Sequence, residues 1–391
     1  MEVRIVSEEE ALAGHVPAWT MLAESALEPN PFYEHWMLLP AVRHYGRGKD
    51  LKFVLIFQKD LRPAPLLCGL VPLERIHHFM GLPVSGWSVW KYNHCPFTTP
   101  LIRNDCAREV LAAFFQWLLS HETGGHLLEW RYVLGEGMFN QLLIDQLHHL
   151  GTVPLVSEWY TRAFFRPMEN PDRYLSVALS GKHRKAFKRR ADLLAEMGPL
   201  EFTVANESID IGDWIGSFLR IESSGWKGRE GSAMACTEPN RRFFSEAVTN
   251  AFRANRLLMT ALRLGGKTIA QNCYFRAGIG SFHFKPAFDE EYARFSPGFH
   301  MECELIHYLH SHPEIEWMDS CTSSGNEMYN RLFIARRTIQ DLLIPIRGGA
   351  RGLLVSAIPC LRYLKKTAKT VFGSNPSPNG RPKTEVPEAV K

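Results

Sequence analysis

The chain has 391 residues, of which 45% are hydrophobic and 22% are charged, and its formal net charge is +4. This balance is typical of a globular protein and excludes a disordered chain, while the small net charge excludes a polycation that binds nucleic acid over its whole surface. The length predicts about two domains.

The cysteines and the absence of long apolar segments indicate where the protein works. The eight cysteines include no C-x-x-C pair, so we expect free thiols in a reducing compartment and no metal site. Residues 1–10 contain three consecutive glutamates and no apolar signal segment, and no apolar run reaches about 18 residues. We therefore expect a cytoplasmic protein without a membrane-spanning helix.

The first 167 residues alternate helical and extended patterns. Apolar spacing and turn residues predict helices over 31–45, 107–120 and 138–150, and strands over 52–58, 66–73, 127–133 and 153–166. The turn at 59–65 makes a hairpin of the first two strands. This order predicts an α/β (α+β) N-terminal lobe over residues 1–167.

The next 178 residues follow a different order, which predicts a C-terminal lobe over 168–345. A single helix is expected over 174–197, stopped by Gly198-Pro199, with inward positions at Leu175, Leu179, Phe187, Leu193 and Leu194. We then expect a strand at 200–205, helices at 211–221 and 241–255, a hairpin of strands 257–264 and 268–277, a strand at 281–287, a helix at 298–310 and a strand at 314–319. Residues 346–373 are predicted to form a basic amphipathic helix, and residues 374–391 a disordered tail rich in proline, lysine and serine.

Several short motifs in the second lobe occur in a characteristic order. They are SGKHRKAFKRR from Ser180, ESSGWKG from Glu222, IAQ from Ile269, FKPAFDEEYA from Phe284, SPG from Ser296, WMD from Trp317, and Tyr329. Together they resemble the GNAT-type acetyltransferase domain of cellulose-biosynthesis CelD-like proteins and, more distantly, the FemAB aminoacyltransferases. The N-terminal block resembles the companion lobe of such proteins.

The resemblance implies two GNAT-like lobes, each a mixed, mostly antiparallel sheet flanked by helices. It also implies transfer of an acyl group from acetyl-CoA or another acyl-CoA to an amine or hydroxyl of a small, glycan-linked or cell-envelope acceptor, without a metal. In the FemAB branch the donor is aminoacyl-tRNA instead. A non-catalytic accessory role in polysaccharide production is a third interpretation.

The turn before the helix at 298–310 is the predicted donor site. Unpaired amides and the helix dipole at such an end attract phosphate, and the resemblance places the CoA pyrophosphate at Ser296, Gly298 and Phe299, with Lys285 and Arg294 assisting. The sequence departs from the usual GNAT signature because Pro297 removes a donor. An ordinary helix start is the alternative interpretation.

Two carboxylates are candidates for the base that removes a proton from the acceptor. Glu222 is the first candidate and Asp289 the second, and Trp226 and Lys227 beside Glu222 are candidate substrate contacts. The alternative is that Glu222 makes a local salt bridge and Trp226 packs in the core.

Asp319 and Tyr329 are the remaining candidates for the predicted site. Asp319 ends a strand and is a candidate substrate contact, while the Tyr329 phenol is a candidate acid for the leaving thiolate, with packing as the alternative. Residues 182–190 include six lysines and arginines. They could bind a phosphate-rich ligand such as CoA or tRNA, and the alternative is a solvated helix face. Residues 350–372 suit peripheral contact with an anionic membrane, or docking on the protein itself.

Overall fold

The structure is a computed structural model and describes residues 1–59, 65–81, 84–120 and 124–346. The amphipathic segment predicted over 346–373 and the tail predicted over 374–391 lie outside the described residues, apart from Ile346. The membrane contact predicted for 350–372 therefore stays a prediction. No helix among the described ranges is long and apolar enough to cross a membrane.

The described strands form one 13-stranded mixed sheet, mostly antiparallel, in the order β1-β2-β3-β4-β6-β13-β7-β12-β11-β10-β9-β8, with β5 paired to β3. In chain order the strands are β1 Glu2–Val6, β2 Leu51–Gln58, β3 Leu66–Ile76, β4 Gly86–Val89, β5 Leu101–Ile102, β6 Leu127–Leu134, β7 Leu155–Phe165, β8 Leu200–Val204, β9 Leu257–Leu264, β10 Lys267–Ala277, β11 Gly280–Phe288, β12 Trp317–Asp319 and β13 Ala335–Pro345.

Helices cover the sheet and close each lobe. In chain order they are α1 Glu9–Ala13, α2 Val16–Glu24, α3 His35–Tyr45, α4 Ala107–Leu119, α5 Gly137–His149, α6 Pro171–Ala178, α7 Gly181–Ala195, α8 Ile211–Ser224, α9 Trp226–Arg229, α10 Glu238–Arg253, α11 Pro297–His310 and α12 Glu327–Leu332. Buried apolar residues of α3, α4, α8 and α10 join those of the sheet in one large core.

The two lobes share their central strands. The last strand, β13, lies between β6 and β7 and pairs with both, for example Ile339 with Leu134 and Thr338 with Thr161. Strand β7 in turn pairs with β12 of the second lobe. The C-terminal strand thus completes the sheet of the first lobe, and the predicted boundary at 167/168 falls between β7 and α6.

Most of the predicted elements in the second lobe are present. The prediction of a single helix over 174–197 is wrong, because this segment forms two helices, α6 and α7. The chain leaves helical geometry at Leu179 and restarts at Gly181, because the Ser180 side chain caps α7 by accepting from the His183 amide at 3.4 Å. Leu193, predicted to face inward, is exposed, whereas Leu194 is buried. The hairpin predicted over 257–277 is confirmed as β9 and β10.

The sheet opens beside β11. Parallel pairing with β12 covers only Gly280–Phe282, and β11 then continues to Phe288 with β10 as its partner. Gly280 allows this junction to close, since a Cβ there would lie 2.2 Å from the Trp317 ring. The second half of β11 therefore has no β12 partner and is available to line a site.

Candidate functional site

A cavity of about 460 Å³ lies where the end of β11 meets the start of α11. Its wall also includes residues of α7, β10 and α12. The lining residues are Phe187, Arg190, Asn272, Pro286, Ala287, Phe288, Ala293, Ser296, Pro297, Gly298, Phe299, Glu327, Met328 and Arg331. The turn predicted to hold the donor phosphates therefore faces a cavity.

The geometry of this turn leaves one amide available. Ser296 adopts a left-handed backbone conformation, with φ of 58°, and its carbonyl accepts from the amides of Phe299 at 3.0 Å and His300 at 3.2 Å. Pro297 has no amide hydrogen. Among the described residues the Gly298 amide has no backbone acceptor. It is therefore an available hydrogen-bond donor in the first turn of α11.

Two arginines add positive charge at this end of the cavity. Arg190 of α7 donates to the Ser296 hydroxyl at 2.9 Å, and Arg331 of α12 also lines the cavity. Phe187 stacks on Phe299 with ring centroids 3.5 Å apart and forms an apolar side. The helix dipole, the free amide and the guanidinium groups together favour an anionic ligand.

A buried polar cluster lies behind the cavity wall. Glu302 accepts hydrogen bonds from the Asn272 amide at 2.6 Å, the Tyr274 hydroxyl at 2.7 Å and the Tyr329 hydroxyl at 2.5 Å. Burial raises the pKa of Glu302 to about 7, against the lowering effect of these three donors. Burial also raises the pKa of Tyr329 well above its usual value. Asn272 joins this cluster to the cavity because it also lines the wall.

Glu302→Gln is expected to make stability less sensitive to pH. A carboxyl whose pKa is raised by folding contributes stability that is present below pH 4.5 and is lost as the pH rises to about 7. The amide cannot ionise, so the variant should gain roughly 2.5 kcal/mol relative to the parent between pH 5 and pH 8. Urea unfolding at the two pH values measures this difference.

Glu304→Gln is the matched control, because Glu304 is exposed on the same helix. Burial also raises the pKa of Glu34 to about 7, but Glu34 is present in every protein compared and cancels. Equal pH dependence in the Glu302 variant and the parent would contradict the prediction.

A second, smaller cavity of about 130 Å³ lies on the other side of the end of β11. It is lined by Glu222, Gly225, Trp226, Lys227, Pro286, Ala287, Phe288 and Glu290. Glu222 accepts from the Lys227 ammonium at 3.0 Å and from the Met234 amide at 2.8 Å, and Lys227 also donates to the Pro286 carbonyl at 2.6 Å. The two cavities share Pro286, Ala287 and Phe288.

The structure brings six of the eleven predicted site residues to these two cavities. Ser296, Gly298 and Phe299 line the first, and Glu222, Trp226 and Lys227 line the second. The salt bridge considered for Glu222 is present, and the Trp226 side chain is only partly buried.

The other predicted residues lie elsewhere. Tyr329 has no exposed surface and does not line the first cavity, but Glu302 links it to Asn272 in the cavity wall. Lys285 is largely buried beside His94 of the first lobe, with Nζ 3.1 Å from Nδ1. Arg294 lines a neighbouring groove together with Arg189 and Arg190.

Asp289 and Asp319 are each occupied by local partners. Asp289 caps the turn at 290–295 by accepting from the Glu291 amide at 3.1 Å and pairs with Lys267 at 2.9 Å. Asp319 is fully buried between Arg162, at 2.6 Å, and Arg337, at 3.1 Å. Neither carboxylate lines either cavity.

Sequence reasoning did not identify Glu302, Asn272, Arg331 or His94. A signal existed for Glu302, because it shares one face of α11 with Leu305, Ile306 and Leu309, and a single carboxylate on an apolar face requires buried partners. Those partners come from β10 and α12, which no local pattern connects. Within the described ranges, no group of three or more His, Cys, Asp or Glu side chains forms a metal site.

Comparison with known proteins agrees with this geometry. Residues 181–331 match the family model described as an acetyltransferase (GNAT) domain. A search of curated proteins found no match. The matched segment contains the first cavity and both of its arginines.

Solved structures share the fold over most of the chain at low sequence identity. A conserved protein of unknown function from Bacteroides thetaiotaomicron is 13% identical, with a TM-score of 0.55, and the match covers 88% of this chain and 100% of that one. FemX is 11% identical, with a TM-score of 0.54, over 88% of this chain and 97% of that one. The C-terminal domain of a putative lysylphosphatidylglycerol synthetase from Agrobacterium fabrum is 12% identical, with a TM-score of 0.50, over 91% and 96%.

The class of protein follows from these matches and from the sheet topology. The chain has a GNAT/FemAB-like fold in which two lobes, each flanked by helices, contribute their strands to one mostly antiparallel sheet. The predicted fold class is confirmed.

Proposed function

We propose that the protein transfers an acyl group from acyl-CoA, such as acetyl-CoA, to an amine or hydroxyl of a small or cell-envelope acceptor. The observation that supports this proposal is the cavity at the N-terminus of α11, within the segment that matches a GNAT acetyltransferase domain. A polysaccharide-related acceptor of the CelD type is the particular version suggested by the sequence motifs.

In this proposal the donor phosphates bind at the turn before α11. The Gly298 amide and the guanidinium groups of Arg190 and Arg331 supply hydrogen bonds and charge, and the Ser296 hydroxyl lies beside them. Arg294 and Arg189 border the adjoining groove and extend the positive surface available to a phosphate-rich donor.

The chemistry proposed is direct transfer. The acceptor nitrogen or oxygen attacks the thioester carbonyl carbon, the C–S bond breaks, and the thiolate of CoA takes up a proton. Glu222 is the better placed of the two predicted bases, because it lines the second cavity, whereas Asp289 lines neither cavity. Tyr329 is the candidate acid, reaching the donor side through the cluster with Asn272.

Titration of the purified chain with acetyl-CoA by isothermal calorimetry tests the proposal. We expect saturable binding at one site, with CoA as a competitor. No detectable heat up to high micromolar acetyl-CoA would contradict it.

A second candidate, an aminoacyl-tRNA-dependent transferase, is favoured by one observation. The basic residues of α7 are exposed next to the cavity, and they include Lys182, Arg184, Lys185, Lys188 and Arg189. A tRNA donor would release counterions from these groups, so its affinity should fall steeply between 50 and 200 mM salt, by roughly 1000-fold or more for six phosphate contacts. Filter binding with aminoacyl-tRNA across this range separates the two donors.

A further inference from the structure

A cluster of basic groups lies where the two lobes meet, and it contains more positive than negative charge. Lys285 of β11 and Lys227 of α9 come from the second lobe, and Lys91 and His94 come from the segment after β4 in the first. The charges of Lys285, Lys91 and Lys227 all act on His94, and Glu222 is the carboxylate that acts on Lys285.

Within the part of the chain that the structure describes, Lys285 has no carboxylate partner of its own. Its ammonium lies 3.1 Å from His94 Nδ1, and among the described residues no carboxylate lies within ion-pair distance of it. The one nearby carboxylate, Glu222, already pairs with Lys227 at 3.0 Å. A buried ammonium without a counter-ion is costly, and an anion placed beside it would remove that cost.

The protonation behaviour of the cluster agrees with this imbalance. Burial lowers the pKa of Lys285 to about 8, an effect that the carboxylate of Glu222 opposes and the charge of Lys227 reinforces. Burial and the charge of Lys285 lower the pKa of His94 to about 3. Both shifts come mainly from burial, and the charges of neighbouring lysines add to them.

The cluster keeps some access to solvent, because Lys285, His94 and Lys227 are each only partly buried. The exposed Asn93 side chain lies 3.3 Å from His94 Nε2 and donates to Asn240 at 3.5 Å, which places amide groups at the outer edge. On the inner side Lys227 and Glu222 line the second cavity, which shares Pro286, Ala287 and Phe288 with the donor cavity. A ligand group held at the lysines would lie on the opposite side of the end of β11 from the donor.

We propose that Lys285 and Lys227 form the binding site for an anionic group, a phosphate or a carboxylate, carried by the acyl acceptor. The inference rests on the proposed transferase function and narrows its acceptor to a molecule with an oxyanion close to the accepting amine or hydroxyl. Phosphorylated sugars and amino-acid or peptide carboxylates share this chemistry.

Thermal unfolding of the full chain at pH 7 tests the site, with inorganic phosphate or acetate added at constant ionic strength. We expect the Tm of the parent protein to rise saturably with the anion that fits. Lys285→Met should raise the Tm without anion, because it removes an uncompensated charge, and should abolish the anion response. Lys227→Met should weaken the response, whereas Arg190→Met, at the donor cavity, should keep it.

Comparison of the two anions distinguishes a phosphorylated acceptor from an acceptor with a carboxylate. A response to phosphate alone assigns a phosphorylated acceptor, and a response to acetate as well assigns a carboxylate. A parent protein without any response, or a Lys285→Met variant with the full response, would overturn the inference.

Titration of the same variants with acetyl-CoA separates this inference from the proposed function. Unchanged acetyl-CoA binding by Lys285→Met supports a role of Lys285 in acceptor binding. Loss of acetyl-CoA binding would show that Lys285 contacts the donor, and it would overturn the inference. Absence of acetyl-CoA binding in every variant would count against the transferase while the phosphate response still decides whether the anion site exists.

Discussion

Gly298→Asp is expected to weaken acyl-CoA binding by roughly 30- to 900-fold, corresponding to about 2–4 kcal/mol of repulsion between the new carboxylate and the donor phosphates. A Cβ at Gly298 would meet no atom within 4 Å, so the side chain has room to project beside the cavity. A carboxylate in the first turn of a helix also interacts favourably with the helix dipole. The variant should therefore fold with an unchanged or slightly raised Tm and fail in calorimetry with acetyl-CoA.

Gly298→Asn is the matched control, because the asparagine side chain has nearly the same shape without the charge. It should lose no more than a fraction of the affinity that the aspartate variant loses. Equal losses in both variants would show that bulk, not charge, is responsible, and full binding by Gly298→Asp would remove this turn from the donor site.

Asp319→Asn is expected to reduce the free energy of unfolding by about 3–5 kcal/mol. Asp319 is fully buried and its two oxygens pair with Arg162 and Arg337, while the Cys321 amide donates to it at 2.8 Å. Burial alone would raise the pKa of this carboxyl, but the two arginines hold it below its usual range. Without the negative charge, two guanidinium groups remain largely buried and unpaired.

Urea unfolding at pH 7, followed by tryptophan fluorescence, measures this loss. Asp105→Asn serves as the control, because Asp105 forms a similar ion pair with Arg103 at 2.9 Å but is 63% exposed, and an exposed pair contributes about 1 kcal/mol or less. Equal effects of the two substitutions would mean that Asp319 does not stabilise the contact between β12, β7 and β13.

Local patterns in the chain were sufficient for the elements that surround the candidate site. The hairpin at 257–277 follows from Gly265-Gly266 between two apolar runs, and the helix after Ser296 follows from proline at its first position. Both signals act over a few residues, where backbone conformation is set by the residues themselves. The turn before α11 was therefore predictable before any tertiary contact was known.

The partners of the buried charges depended on contacts between residues far apart in the chain. Asp319 meets Arg162 across 157 positions, and Lys285 meets His94 across 191. Spacing along the chain carries no information about such pairs, because it is the pairing of β7, β12 and β13, and the packing of one lobe on the other, that removes these groups from water and selects their neighbours. The amino-acid sequence alone thus identified the fold class and the turn before α11. Burial in the assembled sheet determined that Asp319 is held between two arginines, that Lys285 has no carboxylate within ion-pair distance among the described residues, and that Glu302 lies behind the first cavity.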